Sequence, residues 1–198
     1  MHDPMSSRLI AEALNHLRGE LHPAILNHSV RVHLIASHLG AESLDADDQL
    51  ALAVASLFHD SGTAEIYNGD LRFEVEGANA AVRFLHASGY ERLATTVWQA
   101  IALHTSPGIA EHMQPVIRYT RLGVLEDFGH GIVEVPDRSE LDMALAKYDR
   151  LDIEEVLGRA VVSQALRNPA KAPTASWPGQ LLAAHVADPD RPGINPAF

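Results

Sequence analysis

The side chains in this sequence best suited to chemistry are His28, His59, Asp60 and Asp127, with His104 a further candidate. Two imidazoles and two carboxylates, with no thiolate among them, suit a divalent ion of intermediate hardness. Zinc is the leading expectation, with iron, manganese or cobalt as alternatives that spacing alone does not separate. An ion held this way lowers the pKa of a bound water towards neutrality, which is the chemistry of hydrolysis or hydration. The chain has no cysteine, which excludes disulfides, thiolate ligands and a cysteine nucleophile together. It carries 12 histidines, so what matters is which of them face inward.

Helices must do the positioning. Residues 50–58 are apolar around almost the whole helical circumference, the mark of a helix buried on several sides, and His59 and Asp60 stand at its end. An ionised carboxylate beside such a helix is costly unless a cation or hydrogen bonds offset it, so Asp60 needs a partner. Adjacent helical residues point about 100° apart, so the pair can share an ion only across the edge between them, and the other ligands must come from other helices. Ile25, His28, Val32, Ile35 and Leu39 follow helical spacing, which puts His28 on an apolar stripe. Ile117, Thr120, Val124 and Asp127 do the same for the second carboxylate, and Val97, Ile101 and His104 turn another histidine inward as a pocket residue.

No run alternates apolar and polar residues long enough to make a strand, so the chain reads as all-α. Helices are expected from a cap at Ser6 or Ser7 to Gly19, over 23–40, and from a cap at Asp45 or Asp47 through Asp60 to a stop at Gly62. Further helices are expected over 77–88, 90–105, 115–128, 139–148 and 153–168. Residues 1–168 form one domain with its core at about 20–130, and 169–198 form a proline-rich tail packing on it through Trp177, with a short helix near 179–186. Asp45, Asp47 and Asp48 read as capping charge; they lack the glycine and distal glutamate of a calcium loop.

The formal charge of −11 is the wrong sign for gripping phosphate backbones, so nucleic acid is excluded as a partner. No apolar run reaches the roughly 20 residues of a membrane span and no leader pattern opens the chain, so a cytoplasmic protein without membrane contact is expected. A small-molecule substrate is the expected partner, and the sequence allows a homo-oligomer.

The order His28, His59-Asp60, Asp127 on successive helices resembles the HD-domain superfamily of metal-dependent phosphohydrolases and related enzymes, over about residues 20–130. NHSVRV, SLFHDSGTAE, RFEVEGANAAVRFL, AIALHTS and LGVLEDFG, in that order, resemble its cyanamide hydratase-like branch, which adds water to nitrile-like or amide-like molecules. The resemblance implies an HD-type helical bundle, metal-ligand roles for His28, His59, Asp60 and Asp127, and catalytic positions near the substrate for His104 and Glu74. Two-metal members carry a histidine where this chain has Phe73, four residues before Gly77, which implies a single metal here.

Plainer readings stand beside these. Glu74 could pair with Arg72 or Arg31 as a structural ion pair, Arg31 could instead orient a ligand, and His104 could simply cap a helix end. Thr63 and Tyr67 are pocket-lining candidates, while His33, His38, His86, His112, His130 and His185 are expected on outer faces or loops. Two other functions stay open: a nucleotide or phosphate-ester phosphohydrolase using Arg31 and Arg72, and a catalytically silent metal-binding module.

Overall fold

The computed structural model describes residues 8–130 and 138–189. Among them are nine α-helices and no strand: α1 (Arg8–Leu17), α2 (Pro23–Gly40), α3 (Ala46–Phe58), α4 (Phe73–Ser88), α5 (Ala94–Leu103), α6 (Pro115–Asp127), α7 (Ser139–Leu145), α8 (Ile153–Arg167) and α9 (Trp177–Ala187). The all-α expectation holds. The expected cap at Ser6 or Ser7 and the tail prolines Pro192 and Pro196 lie outside the described residues.

Helix α3 is the axis of the bundle and packs against α1, α2, α4, α5 and α6. That explains its composition: every residue from Ala51 to Phe58 is buried, so no face needs to be polar. Its start is fixed by Asp45, whose carboxylate accepts the Asp48 amide at 2.9 Å. Pro23 opens the first turn of α2, where its missing N–H costs nothing.

Helices α2 and α6 approach closely because Gly123 removes a side chain between them. A Cβ there would lie 2.9 Å from the Val32 carbonyl oxygen and 3.0 Å from Ala36 Cβ. One turn from that contact on each helix sit His28 and Asp127, which the crossing therefore brings face to face.

Helix α5 starts later than expected, after a 3-10 turn at Glu91–Leu93, and α7 ends earlier, at Leu145; two further boundaries, those beside the His59-Asp60 pair, differ for one physical reason. Helix α3 ends at Phe58, and the chain turns through Asp60 (φ −101°, ψ 5°) into a 3-10 turn at Ser61–Thr63. Helix α4 begins at Phe73, four residues earlier than Gly77 suggested. Gly77 does not break the helix; a Cβ on it would lie 3.1 Å from Gly62 N and from Phe58 O, and one on Gly62 would collide with the Phe73 carbonyl. The two glycines let the turn after α3 lie against the first turn of α4, backbone on backbone. Glu76 supports that early start, accepting the Leu71 amide at 2.9 Å.

The segment after α8 folds back. Trp177 is buried with its ring 5.8 Å from that of Phe73, and Lys171 donates to the Gly69 carbonyl at 2.9 Å and to Asn68 Oδ1. No helix among the described residues is long and apolar enough to cross a membrane.

Candidate metal centre

Three histidines from three helices converge on the carboxylate of Asp60, and each is fixed the same way. His59 and His104 each follow the last residue of a helix, α3 and α5, and point Nδ1 at the carbonyl three residues back: Ser56 O at 2.7 Å and Ile101 O at 2.6 Å. His28, within α2, points Nδ1 at Asp127 Oδ2 at 2.7 Å. Carbonyl and carboxylate oxygens only accept, so each Nδ1 carries the hydrogen and each neutral ring presents its Nε2 lone pair inward.

Those lone pairs face one another and Asp60. His59 Nε2 lies 3.2 Å from His28 Nε2 and 3.1 Å from Asp60 Oδ2. His28 Nε2 is 3.7 Å from the same oxygen, and His104 Nε2 is 3.4 Å from Asp60 Oδ1. Asp60 Oδ2 is buried and accepts no hydrogen bond. Convergent lone pairs around an unsatisfied buried carboxylate oxygen are what a divalent cation requires, and one donor atom from each of His28, His59 and Asp60 lie within 4.8 Å of one another. This donor set fits such an ion. Among the described residues no other group of three such donors is found.

The electrostatics of the metal-free centre point the same way. Burial opposes charge on His59, but the Asp60 carboxylate and hydrogen bonds to Asp60 and Ser56 outweigh it, raising the ring above its ordinary pKa. Burial equally opposes ionised Asp60, yet the His59 and His104 rings hold its carboxyl far below the usual range. His28 differs: burial dominates and lowers its pKa despite the bond to Asp127.

Asp127, expected as the fourth ligand, sits on the Nδ1 side of the His28 ring. Its Oδ1 accepts Arg31 Nε at 2.7 Å, and Arg150 Nη1 is 3.3 Å from Oδ2. Burial would raise its carboxyl, but His28, Arg31 and Arg150 together lower it. Asp127 is not one of the three residues whose donor atoms lie within 4.8 Å of one another; its oxygens meet His28 Nδ1 and Arg31 Nε, so it contacts the centre through the His28 ring.

Glu74 is fully buried, accepts Thr105 Oγ1 at 2.7 Å and pairs with Arg72 at 2.5 Å, so it reaches the residue next to His104. Of its two anticipated partners Arg72 is the one observed, and Arg31 belongs to Asp127. Phe73 lies edge-on to His104 with ring centroids 5.7 Å apart and offers no donor atom. Thr63 donates to Asp60 O within its own turn at 2.6 Å, and Tyr67 bonds His16 of α1 at 2.8 Å.

Some features were not anticipated. His33, expected on an outer face, is buried, because α2 is covered by both α3 and α6. Arg121, buried, donates to the His104 carbonyl at 3.0 Å and fixes the end of α5. Arg150 and Gln164 reach the site from distant sequence, and no local pattern marks such contacts.

A search of curated proteins finds no match. A family model for the HD domain matches residues 25–154, about two thirds of the chain, and that span contains His28, His59, Asp60, His104 and Asp127. The chain belongs to the HD-domain family, whose members are generally metal-dependent hydrolases.

Proposed function

We propose that this protein is a one-metal hydrolase or hydratase that adds water to a small neutral molecule of the cyanamide, nitrile or amide kind, as in the hydratase-like branch its motifs resemble. His28, His59 and Asp60 hold the ion, and Asp127 fixes His28. The observation that carries the reading is the set of inward Nε2 lone pairs around the buried Asp60 carboxylate. A bound divalent ion would supply Lewis acidity at an electrophilic carbon and ease deprotonation of water.

The chain's own groups do the rest. His104, held through Nδ1 by the Ile101 carbonyl, presents Nε2 beside Asp60 Oδ1, where it can accept a proton and return it. Glu74 holds Thr105 and so steadies the turn that carries His104. The fixed rings and buried position let these groups act without reorganising at the moment of reaction.

A neutral substrate is favoured over a phosphate ester because the cations that would meet a phosphate are engaged: Arg31 on Asp127 and Arg72 on Glu74. The test is a panel of cyanamide, small nitriles and amides against nucleoside monophosphates, run with metal-loaded protein. Turnover of the first group is expected. Turnover of the phosphates alone would establish the phosphohydrolase reading instead, and metal uptake without any turnover would establish a silent module.

A further inference from the structure

We infer that Gln164, from the stretch of α8 beyond the family match, is a positioning residue for Asp60, acting through the turn that follows it; this rests on the metal reading above. The turn Ser61–Thr63 sets the direction in which Asp60 points, and it is gripped from two sides. On one side the backbone of α4 lies against Gly62 so closely that no Cβ fits. On the other, Gln164 Nε2 donates to the Gly62 carbonyl at 2.9 Å and, more weakly, to the Thr63 carbonyl at 3.4 Å. Thr63 closes the turn from within, its hydroxyl donating to Asp60 O at 2.6 Å.

Two facts separate this role from ordinary packing. Both neighbours of the Gln164 head group are carbonyl oxygens, so only the amide NH2 can face them, which fixes the orientation of the side chain. Its Oε1, meanwhile, is buried and meets no partner among the described residues. A leucine or methionine would fill the space without an unsatisfied acceptor, so the position is better suited to gripping the turn than to packing alone. No metal ligand is touched directly; the effect runs from the α8 amide through two backbone carbonyls to the carboxylate preceding them.

The test uses the full chain and cobalt(II) as probe, reading affinity by calorimetry and ligand geometry by visible absorption. Gln164→Met removes both donors at nearly constant volume, and Gln164→Leu replaces it if the first variant does not fold. Leu157→Ala, two turns earlier on the same helix and in the core, is the control for general loss of stability. The expected result is a loss of cobalt affinity of roughly 10- to 100-fold with an altered spectrum for the Gln164 variant, and affinity within twofold of wild type for the control. A folded Gln164 variant with wild-type affinity and spectrum overturns the positioning role alone. Equal losses in both variants reduce it to general stability and also overturn it. Wild type that takes up no cobalt overturns the metal reading and this inference with it.

Discussion

The Nε2 atoms of His28 and His59 stand 3.2 Å apart, each in a ring whose Nδ1 hydrogen is already committed, to Asp127 and to the Ser56 carbonyl. In neutral rings this sets lone pair against lone pair, an arrangement that repels unless a proton or a metal ion lies between them. The contact is short because α3 packs directly on α2 and both residues point into that interface. A cation therefore relieves a conflict built into the fold.

Metal binding should consequently stabilise the protein. Wild type is expected to take up one equivalent of zinc or another divalent transition ion, and His28→Ala and Asp60→Ala to take up almost none. At a free-metal concentration 100 times Kd the gain is about 2.7 kcal/mol, or roughly 5 to 10 °C in Tm for a chain of this size. Elemental analysis with thermal melts before and after chelation checks both. Unchanged melts together with no bound metal would refute the centre.

Asp127 poses a sharper question. As placed, it holds His28 by its other nitrogen and is braced by Arg31 and Arg150. Asp127→Ala should then weaken metal binding by roughly 10- to 100-fold, the usual effect of removing a carboxylate that orients a ligand histidine. A loss as complete as that of Asp60→Ala would instead put an Asp127 oxygen on the ion, as the sequence resemblance implies. Titration of both variants with zinc distinguishes the two.

The metal-free protein should have a stability maximum near pH 6.5. Asp60 and Asp127 are held below the usual carboxylate range, so their contribution is present above about pH 4 and lost as pH falls through their lowered values. His28, kept neutral by burial, steepens this acid limb up to about pH 6.5. His59 has the opposite sign: raised in the fold, it adds stability below about pH 6.5 that is lost as pH rises through its raised value. Metal replaces that proton, so loaded protein should keep its stability on the alkaline side. Urea unfolding between pH 4 and 8 measures this, and identical profiles with and without metal would count against it.

How much of this was legible in the sequence depends on the distance over which each contact acts. His28, Asp127 and His104 were found inward because helical spacing alone places a residue on a stripe. The same logic failed for His33, since a helix covered on two sides buries more than one stripe. The end of α3 was misplaced because Asp60 and Gly62 leave the helix to meet the backbone of α4, and no local propensity encodes that partner. Arg150 and Gln164 act across long stretches of sequence, where only the assembled fold sets the distance.

Gly62→Ala tests the close approach itself. The added Cβ would meet backbone, the Phe73 carbonyl and, at 2.8 Å, the Gly77 nitrogen, and neither can swing aside as a side chain could. A cost of about 1–3 kcal/mol is expected, with weaker metal binding because the turn carrying Asp60 must shift. Denaturant unfolding and metal titration read the two effects, and wild-type values in both would show that the turn and α4 are free to separate.

Phe73→His probes why a single ion is expected. The Phe73 ring lies edge-on to His104, whose Nε2 faces Asp60 Oδ1, while His28 and His59 face Asp60 Oδ2. The carboxylate therefore has imidazoles on both oxygens, and what the second side lacks is another donor where the phenyl ring stands. An imidazole there should raise the bound metal from one equivalent towards two, with binding to the first little changed. Trp177 packs behind Phe73 and restricts how far the new ring can move, so Trp177→Phe in the same background should aid the second ion by relaxing that contact. A stoichiometry that stays at one in both variants would mean that a donor at position 73 is not what limits the site to a single metal.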